Sequence, residues 1–113
     1  MGRSFYSGVD AVLFVYSIDS KHSFKSLLDL EQDVQENCQP NVIKYLVGNK
    51  NDQSIRTVTN EEMLLKVDEF DCDEAFEVAA NDPVQVNAMF SKIAEKLASS
   101  ERRARSMGSF KLN

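Results

Sequence analysis

Residues 11–18, AVLFVYSI, form a run of apolar, β-branched and aromatic positions. Such a run predicts a strand buried on both faces. Phe24, Leu27, Leu28, Val34 and Cys38 then recur near the 3.6-residue period with polar residues between them, the pattern of an amphipathic helix. Gln39-Pro40-Asn41 ends it, because proline disfavours helical geometry in the residue before it. Residues 42–47, VIKYLV, read as a second strand. Thr59-x-x-Glu62 forms a capping box ahead of Met63, Leu64, Val67 and Phe70. Residues 75–80, AFEVAA, read as a third strand. Asp82-Pro83 follows as an N-cap with proline at the first helical position. Val86, Met89, Phe90, Ile93 and Leu97 trace one face of a last helix, and the pattern dissolves beyond about Ser100. Both helical stripes, 63/64/67/70 and 89/90/93/97, are expected to be core faces.

The order β-α-β-α-β-α predicts an α/β domain: a parallel sheet, helices on its faces and right-handed crossovers. Sheets of this kind bind ligands at the carboxyl ends of their strands. Asn49–Asp52 and Ala79–Asn81 both fall at such ends, so they should share one edge of the domain. There is no internal repeat and no linker. One domain over residues 1–100 and a basic, flexible tail over residues 101–113 are expected.

The chain has 113 residues, 42% of them hydrophobic, enough for one domain with a core of its own. Its net charge of −5 argues against a nucleic-acid binder, because phosphate contacts need a basic surface. No apolar run is long enough to span a bilayer, and no secretion signal follows Met1. Cys38 and Cys72 lie far apart without metal-ligand spacing, which reads as reduced thiols in a cytoplasmic protein. The acids between Glu61 and Asp82, set against Lys66 alone, form a solvated surface without metal-ligand spacing. Arg102, Arg103, Arg105 and Lys111 make the tail basic; at about 1 kcal/mol per cation they favour anionic membranes only weakly.

The chemistry concentrates in Val47-Gly48-Asn49-Lys50-Asn51-Asp52, where an amide, an ammonium and a carboxylate follow an apolar run. One reading is a polar turn. The other is a purine reader. An aspartate can accept from guanine's adjacent N1–H and exocyclic amine, a charge-assisted bidentate pair. Adenine presents no such donor pair, so it would leave the carboxylate unpaired. A neighbouring lysine can lay its aliphatic stem along the ring. An asparagine can tie adjacent loops and touch the ring nitrogens.

GNKND matches the N-K-x-D guanine-recognition motif of the Ras superfamily. SFYSGVDAVLFVYSIDSKHSF resembles the middle of a Rab-type small GTPase, VTNEE resembles that family's helix opening, and FEVAAND sits where the family has FETSAK. The resemblance covers residue 3 to about residue 100. It implies a truncated small-GTPase fold, three-layered and P-loop-NTPase-like, with GTP or GDP as ligand. Asp52 would bind guanine N1 and N2, Asn49 would contact the base and brace the next loop, and Lys50 would cover one ring face. Ala80 would offer its backbone N–H to guanine O6. Ala79 lacks the family's serine hydroxyl, and Asn81 replaces a lysine that packs the base.

The departures are as specific as the matches. Gly2, Gly8, Gly48 and Gly108 are not followed by lysine, so G-x-x-x-x-G-K-[ST] does not occur, and neither does D-x-x-G. The switch threonine, the Mg2+ ligands and the catalytic glutamine have no counterparts. Nanomolar nucleotide binding needs about −12 kcal/mol, whereas a base pocket alone offers about −4 kcal/mol, or millimolar affinity. Weak or lost nucleotide binding, an absent Mg2+ site and no hydrolysis by this chain alone are the expectations. No cysteine follows Cys72, so no stable lipid anchor is expected, only a cytoplasmic protein with weak peripheral membrane association. By the resemblance, the parent function is a GTP switch in vesicle trafficking with effectors and regulators of the Rab type. The alternative is a non-catalytic module that binds Rab partners without tight nucleotide binding; a third reading is an unrelated α/β domain. Without the family's preceding strand, AVLFVYSI would be an apolar sheet edge open to self-association.

Overall fold

The computed structural model describes Tyr6, residues 8–50 and residues 55–107, with the backbone alone for residues 101–107. In chain order the elements are β1 (Ala11–Ser17), α1 (Lys21–Lys25), α2 (Leu27–Asn37), β2 (Ile43–Asn49), α3 (Asn60–Phe70), β3 (Glu74–Val78) and α4 (Pro83–Met107). The three strands form a parallel sheet in the order β1-β2-β3. The predicted α/β architecture is the one observed.

Two differences concern helix ends. The expected first helix is two, meeting at Ser26. The Ser26 hydroxyl donates to the His22 carbonyl at 2.9 Å, competing with the backbone bond of that turn. The last helix does not stop near Ser100 but continues through Met107. The residues beyond Ser100 lack an apolar stripe, yet Glu101, Arg102, Arg103, Ala104 and Arg105 are all good helix formers. Periodicity marks packing, and a helix can outrun its packed face.

The sheet separates two cores. On one face Phe14, Tyr16 and Leu46 pack with Phe24, Leu27, Val34, Val58 and Phe70, beneath α1, α2 and α3. On the other, Tyr45, Val47 and Val78 pack with Met89 and Ile93 of α4, and Ala11, Leu13, Phe76 and Leu97 border them. Strand β2 lies in the centre, with Tyr45, Leu46, Val47 and Gly48 all buried. A helix on each face explains why VIKYLV carries no polar alternation except Lys44, whose ammonium meets the buried Glu31 carboxylate at 3.3 Å.

Single cover by α4 has a cost at the sheet's flank. Val15 is 56% exposed, so β1 is not buried on both faces as expected. It is an outer strand, and α4 lies over the β2–β3 side. Leu64 and Phe90 also differ from their expected core roles: each is exposed. Each lies at the margin of its stripe, whereas Leu27, Phe70, Met89 and Ile93 occupy the centre and are buried.

The carboxyl edge of the sheet as a candidate base site

Asn49 ends β2 rather than opening a turn, so the motif begins inside the sheet. Three hydrogen bonds join the strand ends there. Ile18 N–H donates to the Asn49 carbonyl at 3.0 Å, and Lys50 N–H donates to the Val78 carbonyl at 3.0 Å. The Ala80 N–H donates to Asn49 Oδ1, also at 3.0 Å. The Asn49 side chain therefore braces the segment after β3, as sequence reasoning expected of it. With Oδ1 committed, the carboxamide's Nδ2 donor is the half suited to an acceptor such as a purine ring nitrogen.

The same bond bears on Ala80. Its N–H, the expected donor to guanine O6, is held by Asn49 in this structure. Ala79 is buried, while Ala80 and Asn81 are exposed on the turn that leads into α4. Asn49, Lys50, Ala79, Ala80 and Asn81 thus converge on one edge, as the strand-end argument predicts. Asp52 lies outside the described residues.

The expected Asp82 cap and Gln85, which the sequence did not single out, hold this edge. Asp82 caps α4, its Oδ1 accepting from the N–H groups of Val84 at 3.0 Å and Gln85 at 3.4 Å. Its Oδ2 accepts from Gln85 Nε2 at 2.9 Å, and Gln85 Oε1 in turn accepts the Ala79 N–H at 3.0 Å. The spacing Asp82-x-x-Gln85 is that of a capping box, and it could have flagged Gln85. The departure is that the glutamine reaches past the cap to Ala79.

Behind the edge, Tyr16, Gly48 and Glu77 lie side by side in register across the three strands. A Cβ on Gly48 would stand 2.8 Å from the Tyr16 hydroxyl and 3.0 Å from its Cζ, so the phenol crosses β2 where no side chain intervenes. Burial, and then the Glu77 carboxylate, push the Tyr16 phenol up to about 12, against a smaller lowering by Arg56. Glu77 itself is paired with the Arg56 guanidinium, which also donates to the Val58 carbonyl at 2.8 Å. The Ile18 carbonyl receives the N–H groups of both Thr57 and Val58, at 2.8 and 3.0 Å. The chain that leaves β2 through the motif is thereby fastened again to the end of β1. No cluster of metal-ligating side chains occurs among the described residues. No helix among them is long and apolar enough to cross a membrane.

A three-stranded parallel sheet with helices on both faces fits a small-GTPase-like domain, and the comparison with known families agrees. The Ras family model matches residues 1–99, and the chain belongs to that family. It is similar to Ras-related protein RHN1 of Nicotiana plumbaginifolia, 37% identical over 94 residues, covering 82% of this chain and 46% of that protein. It is also similar to Ras-related protein RabQ of Dictyostelium discoideum, 31% identical over 97 residues, covering 85% and 47% of the two chains. Ras-related protein Rab-18 of Caenorhabditis briggsae is 44% identical over 62 residues, 54% of this chain and 31% of its own. The chain thus spans about half the length of RHN1 and RabQ.

Proposed function

We propose that this chain carries the guanine-recognition half of a Rab-like GTP switch, whose parent role lies in vesicle trafficking. The observation that supports the reading most directly is the Asn49–Ala80 bond, which brings the motif and the turn after β3 to one edge. Asn49 Nδ2 suits a ring nitrogen, Lys50 a ring face, and Asp52 the N1–H and exocyclic amine of guanine. Ala80 reaches guanine O6 by sharing or exchanging the N–H that Asn49 now holds. Bound nucleotide supplies the phosphoryl chemistry of the switch. We assign no phosphate contact, Mg2+ contact or hydrolytic step to any residue of this chain. A cytoplasmic setting with weak peripheral membrane attachment through the basic tail belongs to the same proposal.

Titration of the 15N-labelled chain with GDP and ADP tests it. The expected result is affinity on the order of millimolar, with a preference for GDP that Asp52→Ala removes. An unchanged preference in Asp52→Ala would sink the base-reading role. Submicromolar, Mg2+-dependent binding would show that the chain also holds phosphate.

A second reading is supported by Val15, 56% exposed on an outer strand whose sequence, AVLFVYS, contains no charge. In this reading the domain is a non-catalytic interaction module. Its β1 edge pairs with another chain, a second copy included, and partners of the Rab effector type take the place of nucleotide.

A further inference from the structure

The turn that presents Ala80 is held by two side chains from opposite directions. From β2, Asn49 Oδ1 takes the Ala80 N–H; from α4, Gln85 Oε1 takes the Ala79 N–H. Consecutive amides are therefore each assigned to a different element. Fixing both restricts the Ala79–Ala80 backbone far more than either bond alone. Gln85 is not a loose acceptor. Its Nε2 is anchored on Asp82 Oδ2, and Asp82 is itself held by the first N–H groups of α4. The Asp82 N–H closes the turn on the Ala79 carbonyl at 2.9 Å. Ala79 is buried at 7% exposure and has no side-chain hydroxyl, so its side chain cannot brace the turn.

We propose that Gln85 is a positioning residue for base selectivity, holding the Ala79 amide so that the Ala80 amide stays aimed at the Asn49 edge. The proposal rests on the guanine reading above and deepens it. Gln85 touches no base. It acts through the turn, and its side chain sets how tightly a donor for O6 is kept in register with the motif. Guanine accepts at O6, where adenine donates from its exocyclic amine, so a fixed donor there separates the two purines. A donor free to turn away does not.

Gln85→Met keeps the length of the side chain and removes its acceptor, Gln85→Glu keeps an acceptor, and Asp52→Ala reports on the base reading. Each 113-residue chain is followed by amide hydrogen exchange at Ala79 and by GDP and ADP titration. The expected result for Gln85→Met is exchange at Ala79 about tenfold faster and a several-fold smaller GDP-over-ADP ratio; Gln85→Glu, which keeps an acceptor but sets a carboxylate against Asp82 in place of the Nε2 donor, should lose part of both. Gln85→Asn, a methylene shorter and unable to reach Ala79, should behave as Gln85→Met does and serves if that variant does not fold. The proposal is overturned if Ala79 exchange is unchanged without the Gln85 acceptor. It is equally overturned if exchange quickens but the GDP-over-ADP ratio stays at its original value while Asp52→Ala abolishes it. If the unsubstituted chain and Asp52→Ala alike show no preference, the guanine reading fails and the selectivity role falls with it. Ala79 exchange then decides the holding contact separately.

Discussion

Asn49 Oδ1 accepts the Ala80 N–H at 3.0 Å, a contact between residues 31 positions apart that joins the end of β2 to the turn after β3. Asn49→Ala leaves that amide without its acceptor and should destabilise the domain by about 1–2 kcal/mol. Urea unfolding measures the loss, and amide exchange should place it at Ala80 rather than across the sheet. An unchanged midpoint would show that the bond is replaced by water at no cost.

Gly48 should tolerate no side chain. The 2.8 Å approach of a Cβ to the Tyr16 hydroxyl forces the phenol or the strand to move, so Gly48→Ala should cost about 1–3 kcal/mol. Tyr16→Phe alone should be close to neutral, because the buried hydroxyl has no hydrogen-bond partner to lose. Combined, the two should restore part of the Gly48→Ala loss, and a double-mutant cycle measures how much. Additive costs would refute the clash.

Alkaline pH should weaken the fold in a defined window. The Tyr16 phenol ionises near 10.0 when unfolded but only near about 12 in the fold. Between those values the unfolded chain has released its proton and the folded chain has not. The contribution is therefore intact below pH 10 and lost as pH rises through 12, a change of roughly 2 kcal/mol. Cys72, pushed by burial from 9.0 to about 11, adds a loss of the same sign that starts one unit earlier. Tyr16→Phe should flatten the later part of the decline in denaturation midpoints against pH.

Lys44 and Glu31 tie β2 to α2, with side chains 15% and 5% exposed. Lys44→Met strands a buried carboxylate and should cost about 3–5 kcal/mol at neutral pH, whereas the double change to Met and Leu should cost much less. Chemical denaturation of the three variants separates a paired charge from mere bulk.

Val15→Lys places a charge on the uncovered flank of β1. If the β1 edge mediates self-association, sedimentation velocity should show the unsubstituted chain forming dimers or larger species, and Val15→Lys should shift it toward monomer. A chain that is monomeric at all concentrations would exclude this use of the edge.

The alternating elements, the capping box at Thr59 and the Asp82 cap were legible because each depends on residues near in sequence. The convergence of Asn49 with Ala79 and Ala80 was legible too, because parallel strands place their ends together. Burial was read less well. Val15, Leu64 and Phe90 obey the local periodicity of a core, but whether they are covered depends on where neighbouring helices lie. Gln85 was missed because its partner Ala79 precedes the helix, so a capping pattern gives no hint that the side chain extends beyond the cap. The Tyr16–Gly48–Glu77 row exists only once register is known.

α4 is 25 residues long and is rooted in the same turn that presents Ala80. At 1.5 Å per residue it extends about 37 Å from that turn, with Met89, Ile93 and Leu97 packed against the sheet on the way. A tilt of ~5° would sweep its far end through ~3 Å while displacing the turn by only tenths of an ångström. A push near the carboxyl end of α4 thus arrives at the strand edge as a much smaller displacement, and Asn49 and Gln85 are the contacts that resist it.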